Sequence, residues 1–343
     1  MKISEEVSGK LHRLLENSER IAVSAHVRPD GDALGSTCAM KSFLEDVMGK
    51  KARIVLPDFP PVTLGFLSSR FEIEAGPEAA ADAYAWCDLL ICLDFNVFSR
   101  IGELEQAARA CKAPKVLIDH HLNPEREMFD TVISEPKISS TCELLFHTLK
   151  TLPEVAGDAK VLPSDCAYAL MVGMTTDTNN FANSVFPSTL LMASELLEAG
   201  VDREDIIQRL YNDGRRERVC AWSWILSNKL RILDCGVAYM ILTAEEKEAL
   251  GTLEGELEGL VNIPLQIKEV RISAFLREDG DHFQVSLRSK PGTVVNVLAG
   301  EHFHGGGHAQ ASGGKIFFPG DIPSRDGVCE YFETVAARFV QNK

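Results

Sequence analysis

Three nearly apolar runs in the first 121 residues each end abruptly in acidic or imidazole side chains. Residues 20–25 lead into a loop that begins at His26, residues 88–93 lead to Asp94, and residues 115–118 lead to Asp119 and two histidines. Runs rich in Val, Ile and Leu are typical of parallel strands that helices cover on both faces. Open α/β sheets place their functional groups beyond the carboxyl ends of such strands. We therefore expect the three strand ends to meet at one acidic crevice that contains histidine.

The loop after the first run has the spacing His26-x-x-x-Asp30-x-Asp32. Such a loop can direct alternate carboxylates toward two neighbouring points, as a site for two metal ions requires. A simpler interpretation is that Asp30 and Gly31 form a turn and that Asp32 caps the helix that follows. The loop alone does not decide between these two interpretations.

At the other two strand ends, some side chains are expected to bind metal or substrate and others to hold those side chains in place. Adjacent side chains on an extended segment point in opposite directions, so His120 and His121 are expected to differ in role. One would bind metal and the other would face the substrate, while Asp119 would accept a hydrogen bond that fixes an imidazole tautomer. Asp94 could instead be an ordinary helix cap. The last candidate ligand is Asp177, which follows an apolar helix predicted over residues 165–176.

The candidate ligands form a mixed oxygen and nitrogen set. They comprise four carboxylates and two imidazoles, from His26, Asp30, Asp32, Asp94, His120 and Asp177. Oxygen and nitrogen ligands of this kind suit Mn²⁺, with Mg²⁺ or Co²⁺ as alternatives, and they are unlike the thiolate ligands of a structural zinc site. Clustered carboxylates repel one another, so the set calls for about two cations, which Asp94 is placed to bridge. Water bound between two such ions would lose its proton near neutral pH and could attack phosphorus.

The chain is long enough, at 343 residues, for two domains. We predict an α/β fold with an N-terminal parallel-sheet domain over residues 1–212, a helical connector over residues 213–229 and a smaller α/β domain over residues 230–343. The predicted elements of the second domain are strands at residues 237–242, 269–276 and 282–288, the last two forming a hairpin, and short helices at residues 244–250, 256–261 and 294–299.

A glycine-rich segment near the end of the chain is the main feature of the second domain. Gly305, Gly306 and Gly307 are consecutive and are followed by His308. Consecutive glycines can expose backbone N–H groups in a concave arrangement that binds an anion. Arg288, His308 and Lys290 would supply cationic walls, although a plain flexible turn fits the same residues.

Composition excludes several classes of function. With 35 basic and 50 acidic residues, the net charge of −15 argues against binding long duplex nucleic acid. It leaves room for a short anionic substrate. The nine cysteines are scattered and include no Cys-x-x-Cys pair, which indicates reduced core thiols. Because no signal-peptide pattern and no apolar run of roughly 20 residues is present, we expect a cytoplasmic protein without a membrane partner. A homodimer remains an open expectation.

The motifs resemble a known family in order and spacing. His26-x-x-x-Asp30-x-Asp32, Asp94, the Asp119-His120-His121 triplet and Asp177 resemble the four motifs of the DHH phosphoesterase superfamily. The segment at residues 305–313 resembles the glycine-rich signature of the DHH-associated C-terminal domain. The resemblance covers essentially the whole chain, and its two-domain layout is similar to the nanoRNase type, a relative of RecJ-like exonucleases.

This resemblance implies specific roles for the motif residues. One metal ion would lie on His26, Asp30 and Asp94, and a second on Asp32, Asp94, His120 and Asp177. His121 would contact the scissile phosphate with support from Asp119. Substrate would be gripped across a cleft between the domains by Arg288, Gly305, Gly306, Gly307 and His308. The sequence departs from the family pattern at Asn179, where Asp-Thr-Gly is usual, but asparagine tolerates the left-handed conformation and we expect the turn to be kept.

The resemblance also implies an activity. It is the Mn²⁺-dependent hydrolysis of short single-stranded RNA to mononucleotides, together with removal of the 3′ phosphate from 3′-phosphoadenosine 5′-phosphate to leave AMP. The alternatives are an inorganic pyrophosphatase or exopolyphosphatase, a phosphodiesterase for cyclic or linear dinucleotides, and a nucleotide-binding regulatory module without activity.

Overall fold

The computed structural model describes residues 3–341. The chain forms two compact units that divide between Asp213 and Gly214. Each unit has its own six-stranded sheet and its own hydrophobic core. The helix predicted as a connector follows the division and so belongs to the second unit, and its connecting role stays a prediction.

The first unit is built around a parallel sheet. Its strands are β1 (Arg20–Ser24), β2 (Lys51–Leu56), β3 (Ile73–Ala75), β4 (Leu89–Leu93), β5 (Lys115–Asp119) and β6 (Thr131–Ser134). They lie in the order β3-β2-β1-β4-β5-β6, and every neighbouring pair is parallel. The chain progresses in opposite directions on the two sides of the β1–β4 pair. Such a switch point leaves a crevice beyond the carboxyl ends of the two strands.

Burial on both faces explains why the strands are apolar throughout. In β4, Leu89, Ile91 and Leu93 join one hydrophobic cluster, while Leu90 and Cys92 join another on the opposite face. Side chains alternate between the faces of a strand, so a sheet covered on both sides needs apolar residues at every position. The predicted parallel sheet is therefore confirmed.

Helices cover this sheet. They are α1 (Glu5–Glu16), α2 (Gly31–Asp46), α3 (Gly65–Ser68), α4 (Pro77–Trp86), α5 (Glu105–Ala110), α6 (Thr141–Lys150), α7 (Ser164–Asp177), α8 (Pro187–Glu198) and α9 (Arg203–Tyr211). Helices α2 and α7 approach closely enough that a Cβ atom at Gly35 would lie 2.6 Å from the Ala169 carbonyl oxygen. Only glycine permits this approach, which brings the start of α2 beside the end of α7.

The second unit contains a mixed sheet. Its elements are α10 (Arg216–Lys229), β7 (Arg231–Ile232), β8 (Val237–Leu242), α11 (Ala244–Ala249), β9 (Ile272–Asp279), β10 (His282–Ser289), α12 (Val295–His302), β11 (Gly306–Gly307), β12 (Ala311–Phe317) and α13 (Val328–Gln341). The strand order is β11-β12-β10-β9-β8-β7, with β8 and β9 parallel and the other pairs antiparallel. The predicted hairpin is confirmed as β9 and β10.

One predicted helix, at residues 256–261, is wrong. Turns occupy most of this segment, and a 3-10 helix begins only at Leu260. Gly259 has a φ of 85°, which interrupts a right-handed helix. The Glu256 carboxylate bonds to Arg215 and to the Leu253 N–H, so it stabilises the turn instead.

Within residues 3–341, no helix combines the length and the apolar composition that crossing a bilayer would require.

Candidate metal centre

The switch point of the parallel sheet gathers polar side chains from three strand ends. His26 lies two residues beyond β1, Asp94 directly follows β4, and Asp119 is the last residue of β5 with His120 next to it. Asp94 has a φ of 60°, a conformation that is uncommon for aspartate and that aims its side chain back into the crevice. The expectation that these strand ends meet is confirmed.

One group of ligand atoms forms beside β1. His26, Asp30 and Asp94 each offer one ligand atom within 4.8 Å of the others. The His26 Nε2 atom lies 3.3 Å from Asp94 Oδ2 and 3.9 Å from Asp30 Oδ1. These three residues are those that the family resemblance assigns to the first metal ion.

A second group forms between the end of β5 and the two close-packed helices. Asp32, His120 and Asp177 also offer ligand atoms within 4.8 Å of one another. The His120 Nε2 atom lies 3.5 Å from Asp177 Oδ2, 3.9 Å from Asp32 Oδ2 and 3.6 Å from Asp94 Oδ1. Asp94 thus directs one oxygen toward each group.

The carboxylates at the start of α2 have different local partners. The Asp30 side chain caps the helix, because its Oδ1 accepts from the N–H groups of Asp32 and Ala33 at 3.0 Å each. The interpretation that Asp32 is the cap is therefore wrong. Asp32 Oδ2 and Oδ1 instead accept from the N–H groups of Thr141 and Cys142 at 2.6 and 2.9 Å. The positive end of α6 therefore orients the Asp32 carboxylate.

The two histidines after β5 have separate surroundings, as expected. His121 Nδ1 lies 2.7 Å from Asp119 Oδ1, and the His121 N–H donates to Asp119 Oδ2 at 3.0 Å. Because an ionised carboxylate only accepts, Nδ1 carries the proton. The other ring nitrogen, Nε2, accepts from Arg100 Nη1 at 3.0 Å. The sequence analysis missed Arg100, whose only sequence signal is its position six residues after Asp94.

The electrostatics of the site follow from burial. Burial raises the pKa of Asp32 well above its usual range, and the charges of Asp94 and Asp30 raise it further. Burial alone would also raise the pKa of Asp94, but the hydrogen bond and charge of His26 hold it below its usual range. Burial, followed by the charge of Arg100, lowers the pKa of His121 to about 4.

Burial raises the pKa of Asp119 to about 6, and the charge of Asp94 acts in the same direction. At neutral pH the Asp119 carboxyl is thus ionised and the His121 imidazole is neutral. This agrees with the tautomer inferred from the hydrogen bonds.

The side chains fit divalent cations. Asp32 and Asp94 are almost fully buried, with 1% and 2% of their surface exposed. Buried carboxylates of this density cost free energy unless cations compensate them. The donors are carboxylate oxygens and imidazole nitrogens, which suit Mn²⁺ and similar ions.

The predicted substrate-binding residues of the second unit lie at one end of its sheet. Arg288 pairs with Ala311 across β10 and β12, and Gly306 and Gly307 pair with Gly313 and Ser312. His308 and Ala311 close the turn, with the His308 N–H donating to the Ala311 carbonyl at 2.8 Å. A Cβ atom at Gly305 would overlap the Gly313 carbonyl. Glycine is thus needed here for close strand approach, and an anion-binding role stays a prediction.

The turn after Asp177 keeps the predicted conformation. Asn179 has a φ of 47°, in the left-handed region that asparagine tolerates. The departure from the usual glycine therefore leaves the turn in place.

Fold and site together define a class of protein, a two-unit α/β protein with a cluster of aspartate and histidine side chains, of the type that binds metal ions, at the switch point of a parallel sheet. The sequence matches the DHH family, N-terminal domain, over residues 20–174 and the DHHA1 domain over residues 236–323. The chain belongs to the DHH family of phosphoesterases, and it has relatives of the nanoRNase type.

Individual proteins support this placement. The chain is 28% identical over 312 residues to the bifunctional oligoribonuclease and PAP phosphatase NrnA of Bacillus subtilis, a match that covers 90% of this chain and 93% of that protein. A crystal structure of an exopolyphosphatase-related protein from Bacteroides fragilis is 33% identical, with a TM-score of 0.89 and coverage of 99% and 98%.

A more distant structure shares the fold. RecJ from Thermus thermophilus, solved in complex with Mn²⁺, has a TM-score of 0.58 at 14% identity, and the match covers 98% of this chain and 54% of RecJ. At this identity the likeness concerns the fold alone.

Proposed function

We propose that this phosphoesterase uses two divalent ions, in the first place Mn²⁺, to hydrolyse short RNA oligonucleotides to mononucleotides. The observation that carries the proposal is the position of Asp94, whose two oxygens lie 3.3 Å from His26 Nε2 and 3.6 Å from His120 Nε2. A carboxylate shared by two ligand groups is the arrangement that a two-metal phosphoesterase requires. The name of the Bacillus subtilis relative supports oligoribonucleotides and 3′-phosphoadenosine 5′-phosphate as the substrates.

The ligand roles follow the two groups of side chains. His26, Asp30 and Asp94 would hold one ion, and Asp32, Asp94, His120 and Asp177 the other. When bound, the ions would supply Lewis-acid stabilisation of the phosphate and lower the pKa of a coordinated water.

The residues around the ligands would position the phosphate. The Arg100 guanidinium has five N–H donors, and its Nη1 group donates to His121 Nε2 and to the Asp94 carbonyl oxygen, so the remaining donors can bind phosphate oxygens. Asp119 keeps the His121 ring in one orientation, so that His121 and Arg100 act as a fixed pair beside the scissile phosphate.

The second unit would bind the rest of the substrate. Arg288, His308 and the glycines 305–307 share one end of its sheet, where a guanidinium and an imidazole suit a terminal phosphate or nucleotide. A site that binds a terminal phosphate would favour short anionic substrates over long duplexes.

A second candidate function is hydrolysis of condensed phosphates. It is favoured by the name of the exopolyphosphatase-related protein from Bacteroides fragilis, which is similar over nearly the whole chain. Both candidates use the same ligand set, so only the choice of substrate separates them.

The test is a side-by-side assay of a labelled RNA dinucleotide, a pentanucleotide, 3′-phosphoadenosine 5′-phosphate, a cyclic dinucleotide and pyrophosphate, with Mn²⁺ and with chelator. We expect Mn²⁺-dependent release of mononucleotides from the RNA and no cleavage of pyrophosphate. Cleavage of pyrophosphate alone would replace the proposal with the second candidate, and cleavage of the cyclic dinucleotide alone would indicate a cyclic dinucleotide phosphodiesterase. Absence of turnover on all substrates would overturn the proposed activity.

A pair of variants tests the metal assignment. His120→Ala should abolish turnover of every substrate and lower the amount of Mn²⁺ bound, as measured by calorimetry. His12→Ala is the matched control. His12 lies on α1, its Nε2 atom is 2.9 Å from Glu154 Oε1, and it contributes to neither ligand group. A near-normal rate in His120→Ala would contradict the assignment.

A further inference from the structure

Two cysteines of the first unit form a close pair at the end of the sheet opposite the metal centre. The Cys87 and Cys111 Sγ atoms lie 3.9 Å apart, and both residues are buried with 8% of their surface exposed. Cys87 directly follows α4 and Cys111 directly follows α5. Both therefore precede the amino ends of β4 and β5, which are adjacent parallel strands.

The register of the strands makes this pairing a property of the fold. Leu90 of β4 is opposite Lys115 of β5, and the Leu90 N–H donates to the Pro114 carbonyl at 3.0 Å. Neighbouring strands lie about 4.8 Å apart. The two cysteines precede these paired positions by three and four residues, and the fold brings their sulfur atoms to 3.9 Å, so a disulfide bond of about 2.0 Å requires a further approach of the two side chains.

Both sulfur atoms lie near one carbonyl oxygen. The Cys87 and Cys111 sulfur atoms lie 3.6 and 3.4 Å from the Tyr84 carbonyl oxygen. Tyr84 lies in the last turn of α4, where carbonyl groups lack a partner within the helix. The Asp88 N–H, which would reach Tyr84 if the helix continued, donates to the Arg20 carbonyl instead. The two thiols therefore face each other around a single oxygen.

We propose that Cys87 and Cys111 are a site of reversible oxidative modification, where a hydroperoxide converts the two thiols into a disulfide that joins the ends of α4 and α5. The Cys111 thiolate attacks one oxygen of hydrogen peroxide and the O–O bond breaks. The other oxygen leaves as hydroxide and takes up the proton that the Cys111 thiol released, so that sulfenic acid and one water form. The Cys87 thiol then displaces water from that sulfenic acid. In total, two thiols and one hydrogen peroxide give one disulfide and two waters. The thiols lose two electrons, and the peroxide gains them.

The surroundings of Cys111 favour the first step. The hydrogen bond from Cys87 lowers the pKa of Cys111 below its usual value although burial opposes this, and the charge of Lys115 lowers that pKa further. Thiolates, not thiols, react with peroxide. By contrast, burial raises the pKa of Cys38 and of Cys166. Those two buried thiols serve as internal controls.

The disulfide would join the two ends of a chain segment that contributes residues to the candidate metal centre. Residues 88–110 include Asp94 and Arg100, and the disulfide would tie both ends of this segment together. A crosslink that restrains the unfolded chain raises the denaturant concentration needed for unfolding. The structure thus connects oxidation to the stability of the first unit.

The test uses the full chain with its two exposed cysteines replaced, as Cys220→Ser and Cys329→Ser. After treatment with hydrogen peroxide, free thiols are alkylated and the digested protein is mapped by mass spectrometry. We expect a peptide pair linked through Cys87 and Cys111, restored to free thiols by dithiothreitol, while Cys38 and Cys166 remain alkylated. The midpoint of urea unfolding should rise on oxidation and return on reduction.

Further variants keep the proposal testable if one of them folds poorly. Cys87→Ser and Cys111→Ser should each abolish the linked peptide, whereas Cys92→Ala, in the buried strand β4, should retain it. The proposal is overturned if Cys87 and Cys111 remain separately alkylated, if Cys111 is oxidised to sulfinic acid without a link, or if the buried cysteines are linked without preference.

Discussion

Helices α2, α6 and α7 pack so closely that adding one methyl group between them should destabilise the first unit. In Gly173→Ala the new Cβ would overlap Cys142 Sγ and lie 2.9 Å from Asp32 Oδ1. Both neighbours are buried, and the Cys142 N–H already holds Asp32. No flexible side chain can move aside, so the helices must separate.

The magnitude combines two opposing effects. Replacing glycine by alanine inside a helix gains about 1 kcal/mol of helix propensity. Overpacking a tight core costs about 1–3 kcal/mol, and this site is at the upper end because three helices meet there. We expect a net loss of about 2 kcal/mol, which lowers the melting temperature by about 4–8 °C for a unit of this size. Metal binding should weaken as well, because Asp32 is displaced.

The assay is urea unfolding of chelator-treated protein, so that bound metal does not contribute to stability. Cys142→Ala should partly rescue Gly173→Ala, because it removes the overlapping sulfur, and the double variant should be more stable than the sum of the single effects predicts. Gly9→Ala is the matched control, since its Cβ would meet only Arg13 at 3.7 Å and should stabilise α1. Equal or greater stability of Gly173→Ala, or no rescue, would refute the reasoning.

Three further predictions concern other parts of the chain. Burial alone would raise the pKa of Glu143, but the His147 imidazole 3.6 Å away and the hydroxyl groups of Ser139 and Thr189, which donate to the carboxylate, lower it to about 2. The carboxylate therefore stabilises the fold above its unfolded pKa of about 4.5, and between pH 5 and pH 3 the wild type should lose about 2 kcal/mol more unfolding free energy than Glu143→Gln. Equal losses in urea titrations would contradict this. Gly305→Ala should destabilise the second unit and raise KM, whereas Gly306→Ala, whose Cβ would meet nothing within 4 Å, should leave the stability of that unit unchanged. Arg100→Ala should lower kcat about 10–100-fold with metal content retained, because it removes a charged hydrogen bond to His121. An unchanged kcat would exclude a role for Arg100 in positioning.

The sequence analysis located the parallel sheet and the strand ends because their signals are local. Buried strands need continuous apolar runs, and the polar residues directly after them interrupt those runs. His26, Asp94 and His120 could therefore be selected together before any geometry was known. The turn-rich residues 278–281 likewise predicted the hairpin of β9 and β10 from a local signal.

Interpretations that depend on distant partners could not be settled in this way. Asp30 and Asp32 are both able to cap a helix, and only the N–H groups of α6, more than 100 residues away, show that Asp32 is held differently. The helix predicted at residues 256–261 was wrong because Glu256 bonds to Arg215, 41 positions away. Arg100 was missed because its partner, His121, is 21 positions further along the chain.

The amino-acid sequence by itself therefore determined the fold class, the family and the chemical character of the candidate site, because apolar periodicity and motif spacing are encoded in neighbouring residues. Only the tertiary structure decided that Asp94 lies between two ligand groups, that Arg100 holds His121 and that Cys87 and Cys111 face each other. Those arrangements depend on strand register and on the close packing of helices at glycine, which bring residues together regardless of their separation in the chain.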